Sequence, residues 1–244
     1  MAVLSVAPAS IFAPTRDDGP EVSPGYLSAR VIDNDSFLLN QSYNLRYQVY
    51  CCERGFLSAA DYPDQMEIDE FDEHSIHVGV LNARGDLMAT ARLVEPSAAG
   101  LPLFHHCTLF SDAPFLNQRR ASVIETGRLA VSRQVDVPVG RTKADIVLQI
   151  FKGVYQASKR RGFSHWLAGT EKSLQRLMLR YGFPWRAVGP EADYYGRVAP
   201  YLLNLDEFDD VILSGRIPRL GVFLEGLEPE LKPIDVLRQI GALR

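Results

Sequence analysis

Between Glu67 and His74 the chain reads EIDEFDEH, five carboxylates in eight residues around a single Phe71. Acids at that density repel one another, so each must be solvated or paired. Three arginines elsewhere are placed to be their partners: Arg46 in NLRYQVY, Arg92 in ATARLVE and Arg128 in TGRLAVS. A guanidinium cannot shed its charge, so inside an apolar segment it must find a carboxylate, a phosphate or water. Taken singly, each arginine is as readily a half-exposed salt bridge. Together with the acidic run they point to a charged site assembled from distant parts of the chain.

Two strand-like segments carry these groups. In LMATARLV, alternation puts Leu87, Ala89, Ala91 and Leu93 on one face and Met88, Thr90, Arg92 and Val94 on the other. The first face is core; the second has the mixed character of a cleft wall. In VIETGRLAV, Glu125 and Arg128 stand three apart and would face opposite ways in a regular strand. Glycine inside a strand often marks a bulge, and one at Gly127 would bring the two onto one face.

The elements that must position them follow from periodicity and turn chemistry. Ser42–Arg54 has helical spacing, with Tyr43, Tyr47, Tyr50 and Cys51 able to share a face, and residues 55–73 read as a loop. IHVGVLN and LMATARLV flank Ala83-Arg84-Gly85-Asp86, a hairpin signal. Thr142-x-x-Asp145 opens a helix that Gly162 ends; FSHWLAG is a strand; a second helix runs from Thr170 to a stop at Gly182. APYLLNL is a further strand, and Ile234, Val236, Leu237 and Ile240 mark a C-terminal helix. The expectation is an α/β protein: one domain over residues 26–244, a mixed β-sheet with helices on both faces, preceded by a flexible lead-in over 1–25.

Composition narrows the function. With 244 residues, 46% hydrophobic, 23% charged and a net charge of −4, the chain has the profile of a globular enzyme and no bias toward nucleic acid. Three cysteines are too few for a disulfide framework and suit a reducing compartment. The apolar N-terminus lacks the preceding basic residues of a signal peptide, and no uninterrupted apolar run is long enough for a membrane span, so a cytoplasmic protein is expected. Charge is unevenly placed: Lys152 to Arg186 holds eight basic side chains against one acid, Glu171. Such a face suits an acidic partner or a phosphate.

The motifs LRYQVY, EIDEFD, RLVEP and ETGRLAVS, in that order over roughly residues 42–132, resemble those of the acyl-homoserine-lactone (autoinducer) synthases. They are equally similar to those of their relatives, the N-acyl amino acid synthases and exosortase-associated acyltransferases of the GNAT fold. The resemblance implies transfer of a medium or long fatty acyl group from an acyl-carrier-protein thioester to the amine of an amino acid or similar acceptor. It implies that Arg46, Asp69, Asp72, Arg92 and Arg128 form the substrate-binding cluster, with Glu70 and Glu73 its solvated neighbours. No bound cofactor or metal is required. A free α-amino group has a pKa near ~8 and must lose a proton to attack, and Glu125 is the candidate base. A backbone N–H of the sheet would stabilise the oxyanion. Acyl carrier proteins are acidic and their phosphopantetheine arm bears a phosphate. The resemblance therefore assigns Arg141, Lys143, Lys159, Arg160, Arg161, Lys172 and Arg176 to carrier contact.

Homoserine-lactone synthases carry a tryptophan in the loop near their S-adenosylmethionine acceptor. The corresponding GFLSAADYPDQ has Phe56 instead, which, with the chain length and the Tyr-rich EADYYGRVAPYLLNL, favours the amino acid branch. The alternatives are a true homoserine-lactone synthase and a non-catalytic acyl-binding sensor. His105-His106-Cys107 invites a metal reading, but adjacent ligands rarely meet at one ion and no second cluster completes the set. His74, His77 and the Cys51-Cys52 pair read as structural. No P-loop, dinucleotide fingerprint, nucleophile elbow or glycine-rich acetyl-coenzyme A loop is present.

Overall fold

A computed structural model describes residues 25–111, 122–224 and 226–233. The expected C-terminal helix and all but the last residue of the lead-in lie outside this range. Strand β1 (Leu27–Val31) leads into α1 (Ser36–Tyr47), which begins where the Asp35 carboxylate accepts the Leu38 N–H at 3.1 Å, a side-chain N-cap. This start lies six residues ahead of the one expected at Ser42. The helix then loosens into a π-helical segment, Gln48–Glu53. The loop to residue 74 holds two short 3₁₀ turns, and then the expected hairpin appears as β2 (Ser75–Asn82) and β3 (Leu87–Val94). Its turn needs a left-handed residue and has one in Gly85, with φ +83°.

Helix α2 (Pro102–His106) precedes β4 (Val123–Ala130). Helix α3 (Lys143–Arg160) opens with the expected box: Thr142 accepts from the Asp145 N–H, and the Asp145 carboxylate accepts from the Thr142 N–H at 2.8 Å. Then come β5 (His165–Thr170), α4 (Lys172–Arg180), the two-residue strands β6 (Arg186–Ala187) and β7 (Ala192–Asp193), and β8 (Arg197–Asn204). Helices α5 (Leu205–Leu213) and α6 (Pro218–Leu224) follow.

The eight strands form one mixed sheet in the order β1-β2-β3-β4-β5-β8-β6, with β7 also on β8. Every pairing is antiparallel except β4 with β5. That parallel pair holds register for only three residue pairs, ending at Glu125 opposite Leu167, after which the strands part. Helices cover both faces. On one, α3 presses so closely that a side chain at Gly153 would meet Val78 and Ala29. There Trp166, Phe151, Phe183, Phe208 and Phe223 interlock, with Phe183 and Phe208 stacked at 4.4 Å. Each such buried aromatic contributes on the order of 2–3 kcal/mol. The other face carries α1, α2 and the β7–β8 hairpin.

The alternation expected in β3 holds for Ala89, Ala91 and Leu93 but reverses at its start. A one-residue register shift beside Val80 and Leu81 puts Met88 in the α3-side core and Leu87 with Ile32, Leu38 and Leu81.

Candidate active site

On the α1 face the charged residues close into a network. Arg46, 1% exposed, donates from Nε to Glu67 Oε2 at 2.5 Å and through its fork to both oxygens of Asp72 at 2.7 and 3.0 Å. Arg92 grips Asp69 in the same way at 2.5 and 2.9 Å and reaches Asp72 at 2.9 Å. Arg128 donates to both oxygens of Glu67 at 3.1 Å and to Asp69 at 2.8 Å. The expected cluster of Arg46, Asp69, Asp72, Arg92 and Arg128 is thus brought together. Glu70 and Glu73 are exposed, as expected. Glu67, fully buried, is the member that sequence reasoning missed: it joins Arg46 to Arg128.

His77 completes the set, with Nδ1 at 2.8 Å from Asp33 and Nε2 at 3.0 Å from Asp72. Burial alone would depress the His77 pKa, but its hydrogen bonds to Asp33 and Asp72 prevail and raise it. Burial opposes the charge of Asp72 too, and the bonds from His77 and Arg46 hold its carboxyl well below the usual range.

The bulge in β4 exists one residue beyond its expected position. Arg92 pairs with Gly127 but Thr90 with Ala130, so β4 has gained a residue between them. Arg128 itself takes the left-handed conformation, at φ +50°. A non-glycine residue there carries strain, which clusters at functional sites. The consequence is the one expected: Arg128 turns onto the face of Glu125.

Glu125 differs from every other acid of the site. It is 4% exposed and has no ion pair among the described residues; its Oε2 accepts the Leu103 N–H of α2 at 2.9 Å. Burial pushes its pKa up to about 7, against the opposing pull of that N–H and of Arg92 and Arg128.

Beside it a cavity of about 450 Å³ opens where β4 and β5 part. Its lining comes from both faces of the sheet: Glu125, Arg92, Arg128 and Tyr50 from the α1 side, Ile150, Phe151, Val154, Leu174, Leu177 and Met178 from the α3 side. One end is therefore charged and the other apolar. Phe151 lines this cavity, whereas Phe104, on α2, packs against the core of the opposite face and Leu148 lines a separate small pocket. Two tyrosines not singled out as site residues also line it. The Tyr194 ring lies against Gly169 of β5, and Tyr195, at φ +51°, sits 4.8 Å from the Arg128 guanidinium. The Tyr-rich composition of EADYYG was the available signal.

The basic residues assigned to carrier contact fare differently. Lys159 is paired with Asp209 at 2.6 Å, Arg161 with Glu95 at 3.3 Å, Arg160 with Glu228 and Lys172 with Glu191. Arg141 and Lys143 donate to the carbonyls of Gly25 and Arg133 at 2.7 and 2.6 Å. The free basic face expected from charge counting is therefore mostly self-neutralised, because its acids come from distant segments. Arg176, exposed on α4, has no ion pair among the described residues. His105 bonds the Ala99 carbonyl at 2.8 Å and His106 stacks on Tyr194 at 4.2 Å. No helix among the described residues is long and apolar enough to cross a membrane.

Residues 45–136 match the family model described as an acetyltransferase (GNAT) domain, and the open sheet with its parted parallel strands has that fold. That stretch of the chain is similar to a GNAT acetyltransferase domain. Among solved structures it is similar to the AHL synthase LasI, at 19% identity and a TM-score of 0.57 over 74% of this chain and 91% of that one. It is similar too to TofI, solved with an inhibitor and MTA, at 20% identity and a TM-score of 0.58 over 80% and 98%. A third is BjaI, a CoA-dependent acyl-homoserine lactone synthase solved with SAM and isopentyl-CoA, at 19% and 0.55 over 79% and 90%. At such identities the likeness is one of fold. No curated protein sequence matches the chain.

Proposed function

We propose that the protein transfers a medium or long fatty acyl group from a thioester to the amine of an amino acid or similar small acceptor, with an acyl carrier protein as donor. The observation that carries this reading is the cavity through the sheet, apolar at one end, with an unpaired carboxylate of raised pKa on its charged wall. The alkyl tail would lie among Ile150, Phe151, Leu177 and Met178, and its thioester in the gap between β4 and β5. The acceptor would approach from the Glu125 side. A carboxylate that titrates near 7 is matched to taking a proton from an ammonium of pKa near ~8 as the nitrogen attacks. The β5-facing backbone groups of β4 beyond Glu125 have lost their strand partner and supply a donor for the oxyanion. The fixed network of Arg46, Arg92 and Arg128 would hold that wall in shape and set its field.

A second reading, S-adenosylmethionine as acceptor, is favoured by the fold shared with BjaI. Phe56, in place of the tryptophan expected of such synthases, lines the cavity beneath Arg54. One assay separates the readings. Purified protein is given acyl-carrier or acyl-coenzyme A thioesters with either mixed amino acids or S-adenosylmethionine, and the products are read by mass spectrometry. N-acyl amino acids are expected; an acyl lactone with methylthioadenosine would select the second reading, and no product with any amine would leave an acyl-binding sensor.

A further inference from the structure

The last residue of the π-helical segment, Glu53, and its C-cap, Arg54, reach across to the two strands that part. Glu53 accepts the Ser132 hydroxyl at 2.6 Å and the Arg133 N–H at 2.9 Å, just past the end of β4. Arg54 donates from Nη2 to both oxygens of Glu171 at 2.5 Å, just past the end of β5. Its guanidinium lies 4.7 Å from the Phe56 ring centroid, so its plane is held in place. Segments of this helix type are rare and recur at functional sites.

Arg54 stands apart from the other guanidiniums of the cavity wall. Arg92 and Arg128 are buried and each shares two carboxylates. Arg54 is 33% exposed and has a single counter-ion among the described residues, itself 35% exposed and contacted through one nitrogen. Its Nε and Nη1 have no acceptor among the described residues. Both Arg54 and Glu171 line the cavity. An ion pair this exposed contributes little stability, so exchanging its carboxylate for another anion costs little. The guanidinium fork suits a carboxylate or a phosphate, and the unused donors would give such an anion more hydrogen bonds than Glu171 takes.

We propose that Arg54 binds an anionic group of a substrate, and that Glu171 is the internal carboxylate this group displaces. The inference rests on the acyl-transfer reading only for the source of the anion, which is the carboxylate of an amino acid acceptor or the phosphate of the donor's pantetheine arm.

The two residues predict opposite signs. Arg54→Gln should raise the KM of the anion-bearing substrate by about tenfold or more, the loss of a charge-assisted contact. Glu171→Gln should lower it, because the competitor is gone. A merely structural bridge would move both variants the same way, with matching losses of thermal midpoint, and that result would overturn the proposal. The source is read by pairing each amino acid with its decarboxylated amine, and acyl-phosphopantetheine with acyl-pantetheine. The Arg54→Gln penalty should vanish for the member lacking the anion; a penalty that persists with both truncated substrates also overturns it. If the wild-type protein turns over no amine, calorimetric titration with coenzyme A and with an N-acyl amino acid puts the same question to binding. Affinity must then fall in Arg54→Gln and rise in Glu171→Gln.

Discussion

The charged cluster under α1 and the wall around Glu125 lie on the same face of one sheet, and they treat their charges in opposite ways. In the cluster, Arg46, Arg92 and Arg128 meet Glu67, Asp69 and Asp72 with most donors used, though Arg92 Nε is buried without an acceptor among the described residues. Around Glu125 a carboxylate is buried with one backbone N–H and no cation of its own. A closed network is rigid and chemically spent. A lone acid in a dry place is poised to change its protonation. The contrast teaches that the abundance of charge in EIDEFDEH marks the frame of the site, while the group proposed to react is the acid left outside the network.

The largest effect should come from opening the frame. Arg46→Met strands Glu67 and Asp72 without their shared partner, and removing one member of a buried pair costs about 3–5 kcal/mol. Urea unfolding should show this at pH 7, and a loss below about 1 kcal/mol would mean that the network is looser than its geometry. Next, Glu125→Gln should lower kcat at least ~10-fold, the lower end of general-base assistance. The same substitution should stabilise the fold at alkaline pH. A folded-state pKa near 7, above the 4.5 of an unperturbed glutamate, means that ionising Glu125 removes stability as pH rises through that interval. Thermal midpoints of variant and wild type should therefore coincide near pH 4 and separate by pH 8, while wild-type kcat rises through about 7. His77, whose pKa is also raised, loses its contribution in the same alkaline direction and acts equally in both proteins. The smallest effect is at the surface. Arg176→Gln should raise the KM of a carrier-protein donor a few-fold at low salt, and Lys172→Gln, already neutralised by Glu191, should not. Equal effects would restore the basic face as a continuous docking surface.

The hairpin, α3 with its capping box, β5 and α4 were legible because their signals are local: a turn glycine, a Thr–Asp pair, a 3.6-residue period. Strand β1 was not, for its five residues are defined by pairing with β2 some fifty positions away. The cluster was legible as a set of residue types, since a guanidinium in a strand must be answered. Glu67 escaped because nothing local distinguishes it from Glu70; only the approach of Arg46 and Arg128 buries the one and not the other. Gly127 signalled the bulge, yet Arg128 carries the unusual dihedral, held there by Glu67, Asp69 and the Tyr195 ring. On the basic helices, ion-pair partners such as Asp209 and Glu228 were invisible to a count along the chain.

Under the proposed function, a cavity lined from both faces of the sheet where β4 and β5 part would let two reactants be present together without either leaving first. The three cysteines lie off its walls, so no thiol is at hand to carry an acyl group between half-reactions. Steady-state lines for the two substrates should therefore intersect rather than run parallel, the signature of direct transfer within a ternary complex.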